Sequence, residues 1–212
     1  KRVFVTGHTG FKGTWLCSFL DSLGAIHAGY SLEPNTIPSH FQLLNSNNIS
    51  TIGDISDITA LKESIRQFQP EILFHLAAQS LVRESYKNPL NTYQTNVIGT
   101  LNVLESVREC SSIKAVVIIT TDKVYKNTSK QIGYIESDPL GGSDPYSASK
   151  AAADIATQSW RSSFGDHPIS IARAGNVIGG GDIAENRLLP DLVNCFIKNE
   201  SPKLRFPEAI RP

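Results

Sequence analysis

The sequence predicts an α/β fold with a doubly wound parallel sheet. Short apolar runs alternate with longer helical patterns at regular spacing, as in repeated β-α-β units. Two of these runs, 71–77 and 115–120, are almost continuously apolar, which is typical of parallel strands buried on both faces. The predicted strands cover residues 1–6, 26–31, 50–54, 71–77, 115–120 and 169–174. The predicted helices cover residues 11–23, 57–68, 89–110, 144–164 and 188–199.

Local signals set the limits of the elements in the first half of the chain. Gly24 ends the first helix, whose apolar residues recur at helical spacing, and Pro70 ends the helix over 57–68. Residues 33–49 are rich in Pro, Asn and Ser and predict a loop with room for a short helix. His75 lies inside an apolar strand, which favours a packed core histidine over a ligand.

The second half of the chain contains three more helices. Asn96 and Gly99 interrupt the helical pattern over 89–110, and because Asn96 lies on its core-facing side, its amide needs a hydrogen-bond partner. Asp144 and Pro145 suit the N-cap and first position of the next helix. The glycine-rich segment 175–182 predicts a loop, and an amphipathic helix follows it.

Composition excludes several classes of function. The chain has 212 residues, 40% of them hydrophobic, and a formal net charge of +0, which gives no reason to expect nucleic acid or an anionic membrane as partner. No apolar run reaches the ~18 residues of a membrane span. No signal peptide precedes the first strand, and because position 1 is not Met, we expect the natural N-terminus to be missing.

The three cysteines predict neither a disulfide nor a metal site. Cys17, Cys110 and Cys195 are odd in number and far apart, and no Cys-x-x-Cys or Cys/His ligand spacing occurs. We expect reduced thiols in a cytoplasmic protein without a metal ion.

A glycine-rich turn after the first strand predicts binding of a dinucleotide. Glycines permit a tight turn close to a pyrophosphate, and the following helix offers free N–H groups and the positive end of its dipole. The spacing is Gly-x-x-Gly-x-x-Gly, and the alternative is an ordinary glycine-rich turn. The turn consists of Gly7, His8, Thr9, Gly10, Phe11, Lys12 and Gly13.

The end of the second strand lacks the usual acidic residue for the adenosine ribose. That position falls on Tyr30 or Ser31, with Glu33 just beyond. No Arg follows the strand to pair with a 2′-phosphate, so the sequence favours NAD over NADP.

Tyr146 and Lys150 are spaced as a candidate proton-transfer pair. On a helix they lie one turn apart on the same face. A nearby cation favours the phenolate, so we expect a lowered Tyr146 pKa and a proton acceptor near neutral pH. This spacing also occurs by chance in many helices, and other polar residues strengthen the interpretation. Gly7–Gly13, Asp54, Gln79, Thr120–Lys123 and Asn176 all fall at carboxyl ends of strands, where such sheets bind ligands.

Five longer motifs carry a resemblance to a known family: VTGHTGFKG, HLAAQ, TNVIGT, TTDK and YSASK. They make the chain similar to the extended short-chain dehydrogenases/reductases, whose sheet is Rossmann-like. The segments AAQSLVRESY, TTDKVY, LGGSDPYSASK and ARAGNVIGGGD resemble nucleotide-sugar 4,6-dehydratases, most of all those acting on CDP-glucose.

The resemblance implies a hydro-lyase that uses NAD in deoxysugar biosynthesis, as for O-antigen lipopolysaccharide. Tyr146 would remove the O4 proton of the sugar, with Thr121 bonded to O4 and Lys150 holding the nicotinamide ribose. Asp122 would protonate the departing C6 hydroxyl, for which burial should raise its pKa. Lys123 stands where most of these enzymes have a Glu as C5 base, and it acts either as that base or as an electrostatic stabiliser.

The resemblance also implies binding residues. For the cofactor they are Gly7, His8, Thr9, Gly10, Phe11, Lys12, Gly13, Ser31, Asp54, Ile55, Leu76, Ala77, Ala78, Gln79, Thr95, Thr120, Tyr146, Lys150, Ala174, Asn176 and Val177. For the sugar nucleotide they are Gln79, Ser80, Arg83, Ser85, Thr121, Asn176, Arg187 and Leu189. The chain departs from the family's usual cofactor-binding pattern at His8 and Lys12, and it lacks the acidic residue that would bind the adenosine ribose. These departures suggest looser cofactor binding.

The expected organisation is an NAD-binding domain over 1–175 and the start of a substrate-binding lobe over 176–212, truncated at Pro212. The helices over 89–110 and 144–164 carry more apolar positions than one sheet face needs, so we expect a homodimer with a four-helix contact. Packing on the sheet alone is the alternative.

The rival functions are a sugar-nucleotide 4-epimerase, which needs no Asp122–Lys123 pair, and a non-catalytic nucleotide-sensing regulator, which needs no Tyr-Lys pair.

Overall fold

The computed structural model describes residues 1–44, 49–128, 130–165, 168–184, 187–204 and 207–208. The end of the expected substrate lobe, including Pro212, and part of the predicted loop over 33–49 therefore lie outside the described residues.

Six parallel strands form one sheet with the order β3-β2-β1-β4-β5-β6. The strands are β1 Arg2–Thr6, β2 Ile26–Ser31, β3 Ile49–Ile52, β4 Ile72–His75, β5 Ala115–Thr121 and β6 Ile169–Ala174. The strand order reverses between β1 and β4, and at such a switch point the loops diverge and leave a crevice for ligands. The predicted doubly wound, Rossmann-like sheet is confirmed.

Eight α-helices are present among the described residues. They are α1 Phe11–Ser22, α2 His40–Leu44, α3 Ile58–Phe68, α4 Val82–Lys87, α5 Pro89–Tyr93, α6 Gly99–Arg108, α7 Pro145–Ser163 and α8 Leu188–Ile197. A 3₁₀ turn, Asp122–Val124, follows β5. Asp144 caps α7 as predicted, because its carboxylate accepts from the Ser147 backbone N–H at 3.0 Å. No helix in the described ranges is long and apolar enough to cross a bilayer.

The helical pattern over 89–110, which Asn96 and Gly99 interrupt in the sequence, is not one continuous α-helix in the structure. The structure divides this stretch into α5, a π-helical turn Gln94–Ile98, and α6. The π turn contains Asn96, which is fully buried and bonds to a neighbouring loop. The sequence therefore showed where the helix is interrupted, but not that the interruption takes the form of a π turn.

Two apolar clusters cover the two faces of the sheet. The larger one joins Phe4, Leu73 and Ile118 to Leu61 of α3 and Leu104 of α6. The smaller one packs Val3 and Val5 against Cys17 and Leu20 of α1. Fully burying such side chains contributes about 1.5–3 kcal/mol each, so these clusters fix the strand ends that carry the polar site.

His75 belongs to the core, as the sequence predicted. Its Nδ1 lies 2.7 Å from Thr6 Oγ1 and its Nε2 lies 3.0 Å from Thr100 Oγ1. Burial lowers the pKa of His75 to about 3, so the ring is neutral at physiological pH.

Candidate active site

The turn from β1 to α1 has the close backbone approaches of a phosphate-binding loop. Gly7 has φ +77°, and a Cβ there would lie 2.6 Å from the backbone nitrogen of Ala77. A Cβ at Gly13 would lie 2.1 Å from the carbonyl oxygen of Gly7. Glycine is therefore required at both positions. Helix α1 has Gly10 as its N-cap, with no side-chain cap and no acidic residue in its first turn. That N-terminus is suited to an anion.

The side chain of His8 packs inside the protein. Its Nε2 lies 2.7 Å from Ser50 Oγ, and a Cβ on Gly29 would lie 2.1 Å from its ring. Burial lowers the pKa of His8 to about 4, so the ring is neutral. These contacts enclose the imidazole between the turn and the second strand.

A pair of hydroxyls occupies the end of β2. Thr9 Oγ1 lies 2.7 Å from Ser31 Oγ and donates to the carbonyl of Leu32 at 2.8 Å. Tyr30 points into the core, 1% exposed, and its hydroxyl donates to the Asp54 carbonyl at 3.1 Å. Of the two candidates for the ribose position, Ser31 therefore contacts the glycine-rich turn, whereas Tyr30 belongs to the core.

Helix α7 brings Tyr146 and Lys150 to the end of β5. Lys150 is 4% exposed, and its Nζ donates to the carbonyl of Ile119 at 3.1 Å. Burial, with a smaller contribution from the charge of Lys12, lowers the pKa of Lys150 to about 7.

The expected lowering of the Tyr146 pKa was wrong. Burial raises the pKa of Tyr146 and outweighs the hydrogen bond with Thr121, which lowers it. Helical spacing showed that a cation lies one turn away, but not that the phenol is desolvated or that the ammonium donates to Ile119.

The 3₁₀ turn after β5 holds the remaining catalytic candidates next to Tyr146. Thr121 Oγ1 donates to Asp122 Oδ1 at 2.9 Å and accepts from the Lys123 backbone N–H at 3.4 Å. Thr121 also bonds to the Tyr146 hydroxyl, and the charge of Asp122 acts on the same phenol. A phenol, a hydroxyl and a carboxylate thus adjoin one another.

Asn96 fixes the loop that follows β4. Its Oδ1 accepts from the Gln79 backbone N–H at 2.9 Å, and its Nδ2 donates to the Gln79 carbonyl at 3.0 Å and to Ser149 Oγ at 2.9 Å. The predicted need for a partner is confirmed. Its function as a clamp between this loop and α7 was not predicted, although a polar residue on an apolar helix face was the available signal.

The glycine-rich loop after β6 reaches helix α1, which follows the glycine-rich turn. The carbonyl of Gly180 accepts from Trp15 Nε1 at 2.9 Å. Arg187, paired with Asp182 at 3.1 Å, lies close enough for its charge to act on Lys12 and Tyr146. Burial, followed by this charge, lowers the pKa of Lys12. Lys12, Lys150 and Arg187 therefore form a cationic cluster beside the glycine turn.

The remaining predicted residues differ in how deeply they are buried. The buried ones are Ile55, Ser85 and Thr120, and the partly buried ones are Phe11, Leu76, Ala77, Ala78, Thr95 and Ala174. The exposed ones are Ser80, Arg83, Asn176, Val177 and Leu189. Ser85 Oγ donates to the Val82 carbonyl at 2.7 Å, within α4, and Gln79 Nε2 donates to Thr92 Oγ1 of α5 at 2.9 Å.

Comparison with known proteins places this site in a family. Residues 3–209 match the NAD dependent epimerase/dehydratase family. The chain belongs to this family. It is 50% identical to a CDP-glucose 4,6-dehydratase of Salmonella typhimurium over 222 residues, covering 100% of this chain and 62% of that relative. The chain spans about three fifths of the length of the curated relatives it matches.

Solved structures of family members share the fold. A dTDP-glucose 4,6-dehydratase from Streptomyces venezuelae, with NAD bound, is 25% identical and has a TM-score of 0.81 over 94% of this chain and 63% of its own. A UDP-glucose 4-epimerase from Thermus thermophilus, also with NAD, is 27% identical and has a TM-score of 0.78 over 88% of this chain and 59% of its own.

The residues present fit the dinucleotide that the family name implies. The glycine turn leaves room for a backbone-bound diphosphate, and Lys12, Lys150 and Arg187 supply positive charge around it. Among the described residues, no cluster of three or more His, Cys, Asp or Glu side chains could hold a metal ion.

Proposed function

We propose that the full-length protein is an NAD-dependent hydro-lyase that converts CDP-glucose to the 4-keto-6-deoxy sugar nucleotide and water. The observation that carries this proposal is the contact of Thr121 with both Asp122 and Tyr146. Epimerisation at C4 needs a proton acceptor and a cofactor, whereas loss of water at C6 also needs an acid. The 50% identity to a CDP-glucose 4,6-dehydratase supports the nucleotide and the reaction.

The glycine turn and the cationic cluster would hold NAD, with Ser31 and Thr9 beside the adenosine ribose and Lys150 at the nicotinamide ribose. When bound, NAD accepts a hydride from C4 of the sugar and later returns it to C6. Arg187, which acts on Lys12 and Tyr146 alike, is placed to neutralise a diphosphate that lies between them.

The side chains of this chain carry the proton transfers. Tyr146 accepts the O4 proton while Thr121 bonds to O4. Asp122 gives a proton to the C6 oxygen as the C6–O bond breaks, and the electron pair of the C5–H bond forms the C5–C6 double bond. Lys123 either takes the C5 proton or stabilises the enolate, and both roles remain compatible with its place in the turn.

The assembly we propose is a homodimer formed by α5, the π turn, α6 and α7. Exposed apolar side chains on these elements support it: Leu90 is 83% exposed, Ile155 55% and Ile98 40%. The three cysteines are free thiols, which supports a reducing compartment such as the cytoplasm. We also propose the division into a cofactor domain over 1–175 and a substrate lobe that begins at 176.

Incubation of the full-length protein with NAD and, separately, CDP-, dTDP- and UDP-glucose tests the function. We expect the 4-keto-6-deoxy product, followed by NMR, with CDP-glucose turned over fastest. Formation of the 4-epimer without loss of water would support the epimerase instead. Binding of NAD with no turnover of any sugar nucleotide would support the non-catalytic regulator.

A further inference from the structure

A buried ion pair outside the catalytic residues joins α7 to β6. Asp154 is fully buried, and its carboxylate accepts from Arg173 through two nitrogens, Nε at 2.9 Å and Nη2 at 3.0 Å. Burial opposes ionisation, yet hydrogen bonds from Arg173 and Gln158 lower the pKa of Asp154. Because desolvation of such a pair offsets most of its attraction, net stability is a poor explanation for its presence.

The ion pair is bonded to both ends of the segment that contains Thr121, Asp122 and Lys123. Thr120, directly before this segment, donates from Oγ1 to Asp154 Oδ2 at 3.2 Å. Tyr125, directly after the 3₁₀ turn, accepts at its hydroxyl from Arg173 Nη1 at 3.0 Å. The two residues that flank the turn are therefore held by one rigid, bidentate pair.

Tyr125 also begins a stack that covers the pair. Its ring lies 5.0 Å from that of Tyr134 at an angle of 11°, and the Arg173 guanidinium carbon lies 5.0 Å from the Tyr125 centroid. Lys130 Nζ lies 4.5 Å from the Tyr134 centroid, and Arg173 Nη1 donates to the Glu136 carbonyl at 2.9 Å. The segment after the turn is thereby folded onto the same guanidinium.

We propose that Asp154, Arg173 and Tyr125 form a positioning unit that sets the carboxyl group of Asp122 for the loss of water. The proposal rests on the dehydratase function and deepens it. Tyr146 and Lys150 lie on α7, and Thr121 is the last residue of β5, where it pairs with Ala174 of β6, so the positions of these three do not depend on the Tyr125 hydroxyl. Asp122 lies on the turn, and its position depends on the two flanking tethers. Loosening one tether should therefore affect proton donation to the C6 oxygen more than proton removal from O4.

Tyr125→Phe in the full-length protein tests this directly, because it keeps the ring stack and removes only the hydroxyl bonded to Arg173. We expect the first half-reaction, reduction of the cofactor by the sugar in a single turnover, to stay within about twofold of wild type. Water loss should slow about tenfold or more, since small displacements of reacting groups cost on that order. Reduced cofactor should then accumulate.

Tyr134→Phe is the matched control. It removes a hydroxyl from the same stack, and that hydroxyl bonds to Asn127 and the Thr128 backbone rather than to the ion pair. The ratio of the two steps should remain that of wild type. Arg173→Lys keeps the charge but loses the two-pronged geometry, and should shift the ratio as Tyr125→Phe does.

A second measurement needs neither cofactor nor substrate. Trypsin should cleave after Lys126 or Lys130 faster in Tyr125→Phe than in wild type, because the tether to Arg173 is lost. If both reaction steps slow equally, or neither does, Tyr125 has no positioning role and the proposal is overturned. A wild-type protein that forms no 4-keto product would refute the dehydratase function, and unchanged cleavage would then refute the tether independently.

Discussion

At the scale of single residues, two effects act on the pKa of Tyr146 in opposite directions. Burial raises its pKa, while the hydrogen bond with Thr121 lowers it. Tyr146→Phe removes only the hydroxyl, so the fold should remain and turnover should fall by about 10²-fold or more, the usual scale for acid–base groups. Steady-state assays with matched circular dichroism spectra would check both statements, and wild-type turnover would contradict the assignment.

Asp122 should be separable from Tyr146 by the step it serves. Asp122→Asn keeps the shape and the bond from Thr121, but an amide cannot donate a carboxylic proton. Water loss should slow far more than hydride transfer, and reduced cofactor should accumulate in a single turnover. Exchange of the C5 proton with solvent would persist if Lys123 is the base. If the variant forms no reduced cofactor, Asp122 positions the substrate instead, and the dehydratase proposal loses its main support.

Two of the buried histidines, His8 and His75, predict acid sensitivity. The pKa values of His8 and His75, about 4 and about 3 when folded, lie below the value of about 6.5 expected when unfolded. The unfolded state therefore binds more protons, and stability falls as the pH drops below about 6.5 towards those folded values. The loss should approach about 1.4 kcal/mol per pH unit for each histidine.

Urea unfolding at pH 7 and at pH 5 measures this slope. His75→Gln should start less stable than wild type and lose about half of the pH dependence. If the free energy of unfolding is equal at the two pH values, both imidazole rings can be protonated in the folded state without loss of stability, and the prediction is wrong.

At the scale of elements, the π turn connects a helix to the loop after β4. Asn96→Ala removes three hydrogen bonds and leaves the Gln79 backbone groups without their partners, so the free energy of unfolding should fall by about 2–4 kcal/mol. Asn91→Ala, at an exposed position of α5, should stay within about 0.5 kcal/mol. Equal stability of the two variants would mean that the clamp is unimportant.

The elements also show what the sequence could and could not predict. The bounds of β2 and β6 were predicted without error, because both are short β-branched or apolar runs between turn signals. Helix α4 was missed, since its residues, VRESYK, are mostly polar and give no apolar period. The edge of the sheet that carries the candidate site could be predicted, because the carboxyl ends of parallel strands lie at the same edge and ligands bind there.

Contacts between distant elements could not be predicted. Asp154 and Arg173 are 19 residues apart on different elements, and no local pattern pairs them. Likewise, the ring of His8 could be located only once Gly29 was known to face it.

At the scale of the whole molecule, the exposed apolar side chains on α5, the π turn and α7 predict the homodimer. Ile98→Glu combined with Ile155→Glu would place charges in the proposed interface, where they would have no partners. Wild-type full-length protein should sediment as a dimer at micromolar concentration, and the double variant as a monomer. Ile37→Glu is the control, because Ile37 is 96% exposed and lies outside these helices, so this variant should stay dimeric. A wild-type monomer would leave these apolar side chains as ordinary surface residues, and a dimeric double variant would place the interface elsewhere.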